Sequence, residues 1–154
     1  MSPADGLGWG LGESIGLQLA HTQRRVIALV GDGGYIFGNP TPAHHLCEAL
    51  NLPILTIIRN NGMWGAVRRA TWSMYPYGAA AKSNDSPFTH LRPSPRFEHV
   101  VRASGGFSER VASAADLPAA LGRALRAVEV AKRQTVLNVI CEYADIAALQ
   151  DARR

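Results

Sequence analysis

Two short stretches of this chain set oxygen-bearing side chains among residues that have almost no side chain. One is Gly31-Asp32-Gly33-Gly34, at the end of the apolar run 25–31; the other is Asn60-Asn61-Gly62-Met63, just after the apolar run 53–59. An aspartate between glycines has two readings. Asp-Gly is a common hairpin turn. The same dipeptide suits a metal and phosphate site, where glycines let the backbone approach a ligand and the carboxylate holds a cation. A carboxylate, an amide oxygen and a backbone carbonyl are hard donors of the kind Mg²⁺ or Ca²⁺ takes. Mg²⁺ uses few protein ligands and completes its octahedron with phosphate oxygens and water, so one carboxylate with neutral oxygens leaves it positive enough to hold a diphosphate. Gly33 and Gly34 would then offer unobstructed N–H groups to the phosphates, at the N-terminal side of the following helix.

Bringing the two stretches together requires a sheet. Residues 25–31 are apolar at consecutive positions and rich in β-branched side chains, which predicts a strand buried on both faces, hence a parallel sheet covered by helices. Residues 53–59 and 135–141 read the same way, and 107–112, after Gly105-Gly106, form a weaker fourth strand. Helical patterns fall between them at 12–21, 42–50, 95–104 and 115–133; Asp116 can cap the last, with Pro118 tolerated in its first turn. The tail 144–154 reads as a final short helix. This alternation predicts one α/β domain over 1–154, a doubly wound, mostly parallel sheet with helices on both faces. Ligands of open α/β sheets bind outside the carboxyl ends of the strands, so Asp32 and Asn60-Asn61 should emerge on the same edge. Segment 70–94 breaks the rhythm with Pro76, Pro87 and Pro93 and reads as a long loop, functional or mobile. Its Trp72, Tyr75 and Tyr77 either wall a pocket or pack the loop down.

With 47% apolar and 18% charged residues the composition is that of a compact protein, not a disordered one. No apolar run is long enough to span a bilayer, and the first ten residues have neither the basic nor the apolar part of a secretory signal, which points to the cytoplasm. The net charge of +4 is dispersed and does not interleave with aromatics as a nucleic-acid groove would, although a modest positive field suits a small anion. Cys47 and Cys141 have no C-x-x-C or metal-ligand spacing and read as buried free thiols. His44 and His45 would point in different directions on a helix, which gives them surface or packing roles. The glycines of 6–12 do not fit G-x-G-x-x-G, follow no strand, and no phosphate loop of the G-x-x-x-x-G-K-[ST] type exists.

The motif pair, GDG at 31–33 and NN at 60–61, resembles the thiamine-diphosphate signature of decarboxylases, carboligases and acetolactate synthases. "GLGWGLGESIGLQLA" is similar to the glycine-rich helix that precedes that motif, and "NLPILTIIRNNGMWGAVRR" to the acetolactate synthase and benzoylformate decarboxylase segment around the second metal ligand. "GDGGYIFGNPTPAHH" most resembles an acetolactate-synthase-like subgroup, and the resemblance covers most of 3–141. It implies thiamine diphosphate and Mg²⁺ as cofactors, with Asp32 and Asn61 as side-chain metal ligands and Met63 as a ligand through its carbonyl. Gly33 and Gly34 match the diphosphate-contacting turn, with Gly31 and Gly62 in the same cofactor-binding stretches. Leu7 falls where the family places a bulky apolar residue that bends the cofactor's two rings into a V, and Trp64 and Val67 match positions lining the cofactor and substrate cavity.

Two departures stand out. The Asp-to-Asn interval is slightly longer than in the best-known synthases, with the extra length around 38–42. The family's catalytic glutamate comes from a separate pyrimidine-binding domain, usually across a subunit interface, and Glu13 and Glu48 lie in the wrong segments to replace it. No catalytic residue is therefore expected in this chain. The resemblance implies the diphosphate half of a 2-oxo acid decarboxylase or carboligase, in an oligomer, with a pyrimidine-binding domain or subunit as partner. A truncated or orphan domain without turnover and a flavodoxin-like nucleotide binder are the rival readings.

Overall fold

The computed structural model describes residues 6–142. The β-branched runs become four strands, β1 Ile27–Gly31, β2 Leu55–Asn60, β3 Phe107–Val111 and β4 Thr135–Ile140. They form a single sheet in the order β1-β2-β4-β3, with every pairing parallel. Helix α1 Trp9–Ala20 precedes β1, and the crossovers that parallel neighbours need carry α2 Asp32–Phe37 and α3 Pro40–Ala49, then α4 Gly65–Met74, α5 Ala79–Lys82 and α6 Glu98–Arg102, then α7 Leu117–Glu129.

Side chains alternate across the strands and build two cores. On one face, Leu11 of α1, Tyr35 of α2 and Val101 of α6 meet Ile58 and Val136. Ile15 of α1 and Cys47 of α3 extend this layer over Ile54. On the other face α7 lays Ala120, Ala124 and Val128 on Leu55, Val111 and Leu137. The two alanines let the helix come close, and Leu55 and Leu137 are fully buried, each worth about 1.5–3 kcal/mol relative to exposure. The doubly wound architecture expected from the sequence is the one observed.

Several local expectations need correction. Residues 25–31 do not form a strand buried on both faces: α7 packs over β2, β4 and β3, and Ile27 and Leu29 at the sheet edge are 49% and 62% exposed. Of the two readings of Asp32 the hairpin turn is excluded, since Asp32 opens α2, a short helix separate from the one expected at 42–50. Helix α1 begins at Trp9, earlier than expected, because Gly8 adopts φ 85° and lies against Gly38; a Cβ on Gly8 would come 2.7 Å from the Gly38 Cα. Helix α6 covers only part of 95–104. Helix α7 has Pro118 in its first turn as expected, but Asp116 makes no cap bond; Ser113 Oγ accepts from Ala115 N–H (3.3 Å) in the 3₁₀ turn just before it.

Segment 70–94 is not one long loop, since α4 runs into it and α5 follows. Trp72 packs it down: its Nε1–H donates to Ser86 Oγ (3.0 Å) and the Arg68 guanidinium lies 4.3 Å over its ring. Tyr75 and Tyr77 are exposed and do not pack the loop down. The expected tail helix lies outside the described residues. Among the described residues no helix is long and apolar enough to cross a membrane.

Of the histidine pair, His45 is exposed and His44 is buried. Gln134 donates its Nε2 hydrogens to the carbonyls of His44 (2.9 Å) and Ser104 (2.8 Å), which leaves Gln134 Oε1 to accept from His44 Nδ1–H (2.8 Å). The other ring nitrogen then accepts from the Tyr35 hydroxyl (2.7 Å). Burial pushes the Tyr35 hydroxyl well above its usual range and the Cys47 thiol up to about 11. Burial also holds His44 below its ordinary 6.5, against the opposing pull of the Gln134 hydrogen bond.

Because the unfolded chain protonates His44 first as pH falls, stability is complete above about pH 6.5 and declines below it. One such group contributes a slope of at most about 1.4 kcal/mol per pH unit. Denaturant melts between pH 7 and 5 should show this slope, and His44→Gln should flatten it.

Candidate functional site

The parallel register sets Gly31 of β1 beside Arg59 of β2, so the residues that follow both strands emerge side by side. Asp32 is buried, and its carboxylate is fixed at both oxygens: Oδ1 accepts from Gly33 N–H (2.9 Å) and Oδ2 from Met63 N–H (3.2 Å). Asn61 Oδ1 accepts from the same Met63 N–H (3.1 Å). A carboxylate oxygen and an amide oxygen thus converge on one backbone donor, although they come from two crossover connections far apart in sequence. Gly62, between them, adopts φ +67°, the left-handed conformation that glycine takes without strain.

This turn is braced from the far side by residues 84–91. Leu91 N–H donates to the Gly62 carbonyl (2.8 Å) and Trp64 N–H to the Thr89 carbonyl (2.7 Å), while Met63 and His90 form an antiparallel bridge. Arg68 ties α4 to the same segment through the Asn84 carbonyl (3.2 Å) and side-chain oxygen (2.9 Å), and it donates to Met63 Sδ (3.6 Å). Sequence reasoning took this region for a loop and missed its bracing role; the only signal was an arginine and a tryptophan one helical turn apart.

An open cavity of about 430 Å³ lies over the two strand ends, within the range of small-molecule sites. Every residue that the resemblance implied for the cofactor and metal lines it except Gly62, whose backbone shapes the turn. Leu7 is 52% exposed and stands between this cavity and an adjoining groove of about 420 Å³ along β1. Trp64 lies over Gly33 and meets Phe37 edge-on at 6.3 Å. The two glycines differ. The Gly33 N–H is taken by Asp32, and a Cβ there would stand 2.7 Å from the Trp64 ring, whereas a Cβ on Gly34 would have nothing within 4 Å. Of the pair, Gly34 is the one with open space where a side chain would begin.

Arg59, Arg69 and Glu142 also line the cavity and were not foreseen; the two arginines bring positive charge that the Glu142 carboxylate partly offsets. Cys141 was expected to be buried but is half-buried and lines the cavity, because β4 ends there against β2, with Cys141 N–H donating to the Asn60 carbonyl (2.8 Å). Glu13 and Glu48 are exposed on α1 and α3, and neither lines this cavity.

An α/β domain with a carboxylate, an amide oxygen and a glycine-opened turn at the ends of adjacent parallel strands is built to hold a phosphorylated cofactor. Residues 4–139 match the family described as thiamine pyrophosphate enzyme, C-terminal TPP binding domain, and the chain belongs to that family. It is 36% identical over 121 residues to an acetolactate synthase large subunit from Mycobacterium tuberculosis (77% of this chain, 20% of that one). It is 32% identical over 124 residues to a benzoylformate decarboxylase from Pseudomonas aeruginosa (80% of this chain, 22% of that one). A solved structure, the thiamine diphosphate-dependent 4-hydroxybenzoylformate decarboxylase of Rhodococcus jostii, superposes with a TM-score of 0.76 at 30% identity, over 92% of this chain and 24% of that one. The chain spans about a fifth to a quarter of the length of these relatives. Thiamine diphosphate is the cofactor of the family to which it belongs.

The unequal glycines give a stability prediction. Gly33→Ala must displace the Trp64 ring and should cost about 1–3 kcal/mol in denaturant melts. Gly34→Ala, with open space around it, should stay within about 0.5 kcal/mol of the parent.

Proposed function

We propose that this chain is the diphosphate-binding half of a Mg²⁺-dependent thiamine-diphosphate enzyme that decarboxylates or ligates small 2-oxo acids. The observation that carries the metal assignment is the convergence of Asp32 Oδ2 and Asn61 Oδ1 on the Met63 N–H at the floor of the cavity. The donor set fits: one carboxylate and neutral oxygens are what Mg²⁺ takes when a diphosphate completes its shell. The cradle fits as well, because the space over Gly34 is empty where any larger side chain would stand.

Thiamine diphosphate, when bound, supplies the electron sink for loss of CO₂ from a 2-oxo acid. The residues of this chain bind and orient it. Asp32, Asn61 and the Met63 carbonyl hold the cation, and the turn at Gly31–Gly34 receives the diphosphate. Leu7 would pack against the cofactor, and Trp64 and Val67 would keep water from one side of the cavity. The proton-transferring glutamate belongs to a pyrimidine-binding domain or subunit that closes the other side, and the working enzyme is an oligomer. Similarity to acetolactate synthase and benzoylformate decarboxylase supports this substrate class.

Calorimetric titration with thiamine diphosphate, with and without Mg²⁺, tests the metal site. Asp32→Ala and Asn61→Ala should abolish the Mg²⁺-dependent gain, a loss of about 100-fold, or roughly 2.7 kcal/mol. Met63→Leu should keep it, since the carbonyl remains; leucine is preferable to alanine because the Met63 side chain is buried. Equal affinity with and without Asp32 would exclude the site.

A CO₂-release assay tests the division of labour. The 154-residue chain saturated with cofactor should turn over pyruvate and benzoylformate at least about 10²-fold more slowly than a complex with a pyrimidine-binding partner, the usual worth of a general acid–base group. Comparable turnover by the chain alone would refute it.

A further inference from the structure

Behind the ligand turn, three buried polar side chains form a line that ends on a carboxylate. Asn60, Asn138 and Glu98 are 1%, 0% and 7% exposed. Gly62 N–H donates to Asn60 Oδ1 (3.1 Å), Asn60 Nδ2 donates to Asn138 Oδ1 (3.0 Å), and Asn138 Nδ2 donates to Glu98 Oε2 (2.7 Å). Ser94 flanks the line, accepting from Asn60 Nδ2 (3.1 Å). The residues come from three elements: Asn60 ends β2, Asn138 lies two places before its β4 partner Ile140, and Glu98 opens α6. Buried side chains of this polarity are costly unless fully partnered, so their arrangement has to be accounted for.

We infer that Glu98 is a positioning residue for the metal-ligand turn, acting through Asn138 and Asn60 on Gly62; the inference rests on the metal reading proposed above. A carboxylate accepts hydrogen bonds and donates none. Asn138 must therefore turn its NH₂ toward Glu98, which leaves its oxygen facing Asn60. Asn60 in turn must present its NH₂ to that oxygen, which leaves its own oxygen facing the Gly62 N–H. Turned over, either amide would set donor against donor. The anionic end of the line thus selects one orientation of two asparagines and fixes the acceptor on which Gly62 rests. Gly62 is the residue between Asn61 and Met63, so the turn carrying two of the three metal ligands is aligned by a side chain that touches none of them.

The test uses the whole chain with Glu98→Leu, which removes the acceptor at similar volume, and Glu98→Gln, which keeps one acceptor oxygen and loses the charge. Amide hydrogen exchange at Gly62, read by NMR without cofactor, should be about tenfold faster in Glu98→Leu and intermediate in Glu98→Gln, as expected for loss of a charge-anchored hydrogen bond. The Mg²⁺ affinity measured at fixed thiamine diphosphate should weaken by about tenfold in Glu98→Leu and less in Glu98→Gln, while thiamine diphosphate affinity in chelator stays within about twofold of the parent. A purely packing role would instead weaken metal-free and metal-dependent binding together, and that result overturns the inference. If Glu98→Leu does not fold, Glu98→Gln decides: faster Gly62 exchange upholds the inference and unchanged exchange sinks it. Unaltered exchange and Mg²⁺ affinity in a parent that does show Mg²⁺-dependent binding overturn this inference alone. A parent without such binding overturns the metal reading and this inference with it.

Discussion

The hydrogen bond from Met63 N–H to Asp32 Oδ2 joins the ends of two strands, and the site depends on it. It can form only because β1 and β2 are parallel neighbours in a register that pairs Gly31 with Arg59. A shift of that register by one residue would turn Asp32 away from Met63 and expose the apolar set that Ile58 and Val30 contribute to the core. Burial of the sheet and geometry of the site are therefore one constraint. The carboxylate is preorganised at both oxygens, so a cation arriving there would meet donors already in place.

The two faces of the sheet do different work. The face under α7 is apolar, with Leu55, Val111 and Leu137 against Ala120, Ala124 and Val128, and its contribution is stability. The opposite face mixes apolar packing with two polar networks: Tyr35, His44 and Gln134 in one, Asn60, Asn138 and Glu98 in the other. Both networks join helices to strands by directional bonds rather than by contact area alone. Such bonds specify a single arrangement where apolar packing would tolerate small shifts.

The site is open where a closed one would be expected of an enzyme. Leu7, Val67, Arg59 and Arg69 line a cavity that is open among the described residues, and Ile27 and Leu29 leave apolar surface along the β1 edge. The chain corresponds to about a fifth to a quarter of its relatives' length. That openness suits the proposed sharing of the cofactor with a separate domain, since preorganised donors lose little on binding.

The α/β class, the four strands and the approach of Asp32 to Asn61 were legible in the sequence because they depend on local signals: β-branched runs, helical periodicity, and the rule that ligands sit at strand ends. Motif resemblance then pointed to thiamine diphosphate, and the family match agrees with it. Other features follow from which element packs on which, and no local pattern encodes that. The exposure of Ile27 and Leu29 depends on where α7 stops, and the cover over Gly33 on where Trp64 lands. The folding of 70–94 onto the turn at 60–63 depends on Arg68 and Trp72 finding Asn84 and Ser86. Glu98 is the clearest case: in the sequence it is one acid in a helical stretch, and it acquires a role only when α6 crosses β4 and sets it within hydrogen-bond reach of Asn138. Local periodicity determines the strands and helices; the partners of buried polar groups are chosen by contacts between residues remote in sequence, and only the tertiary structure decides those.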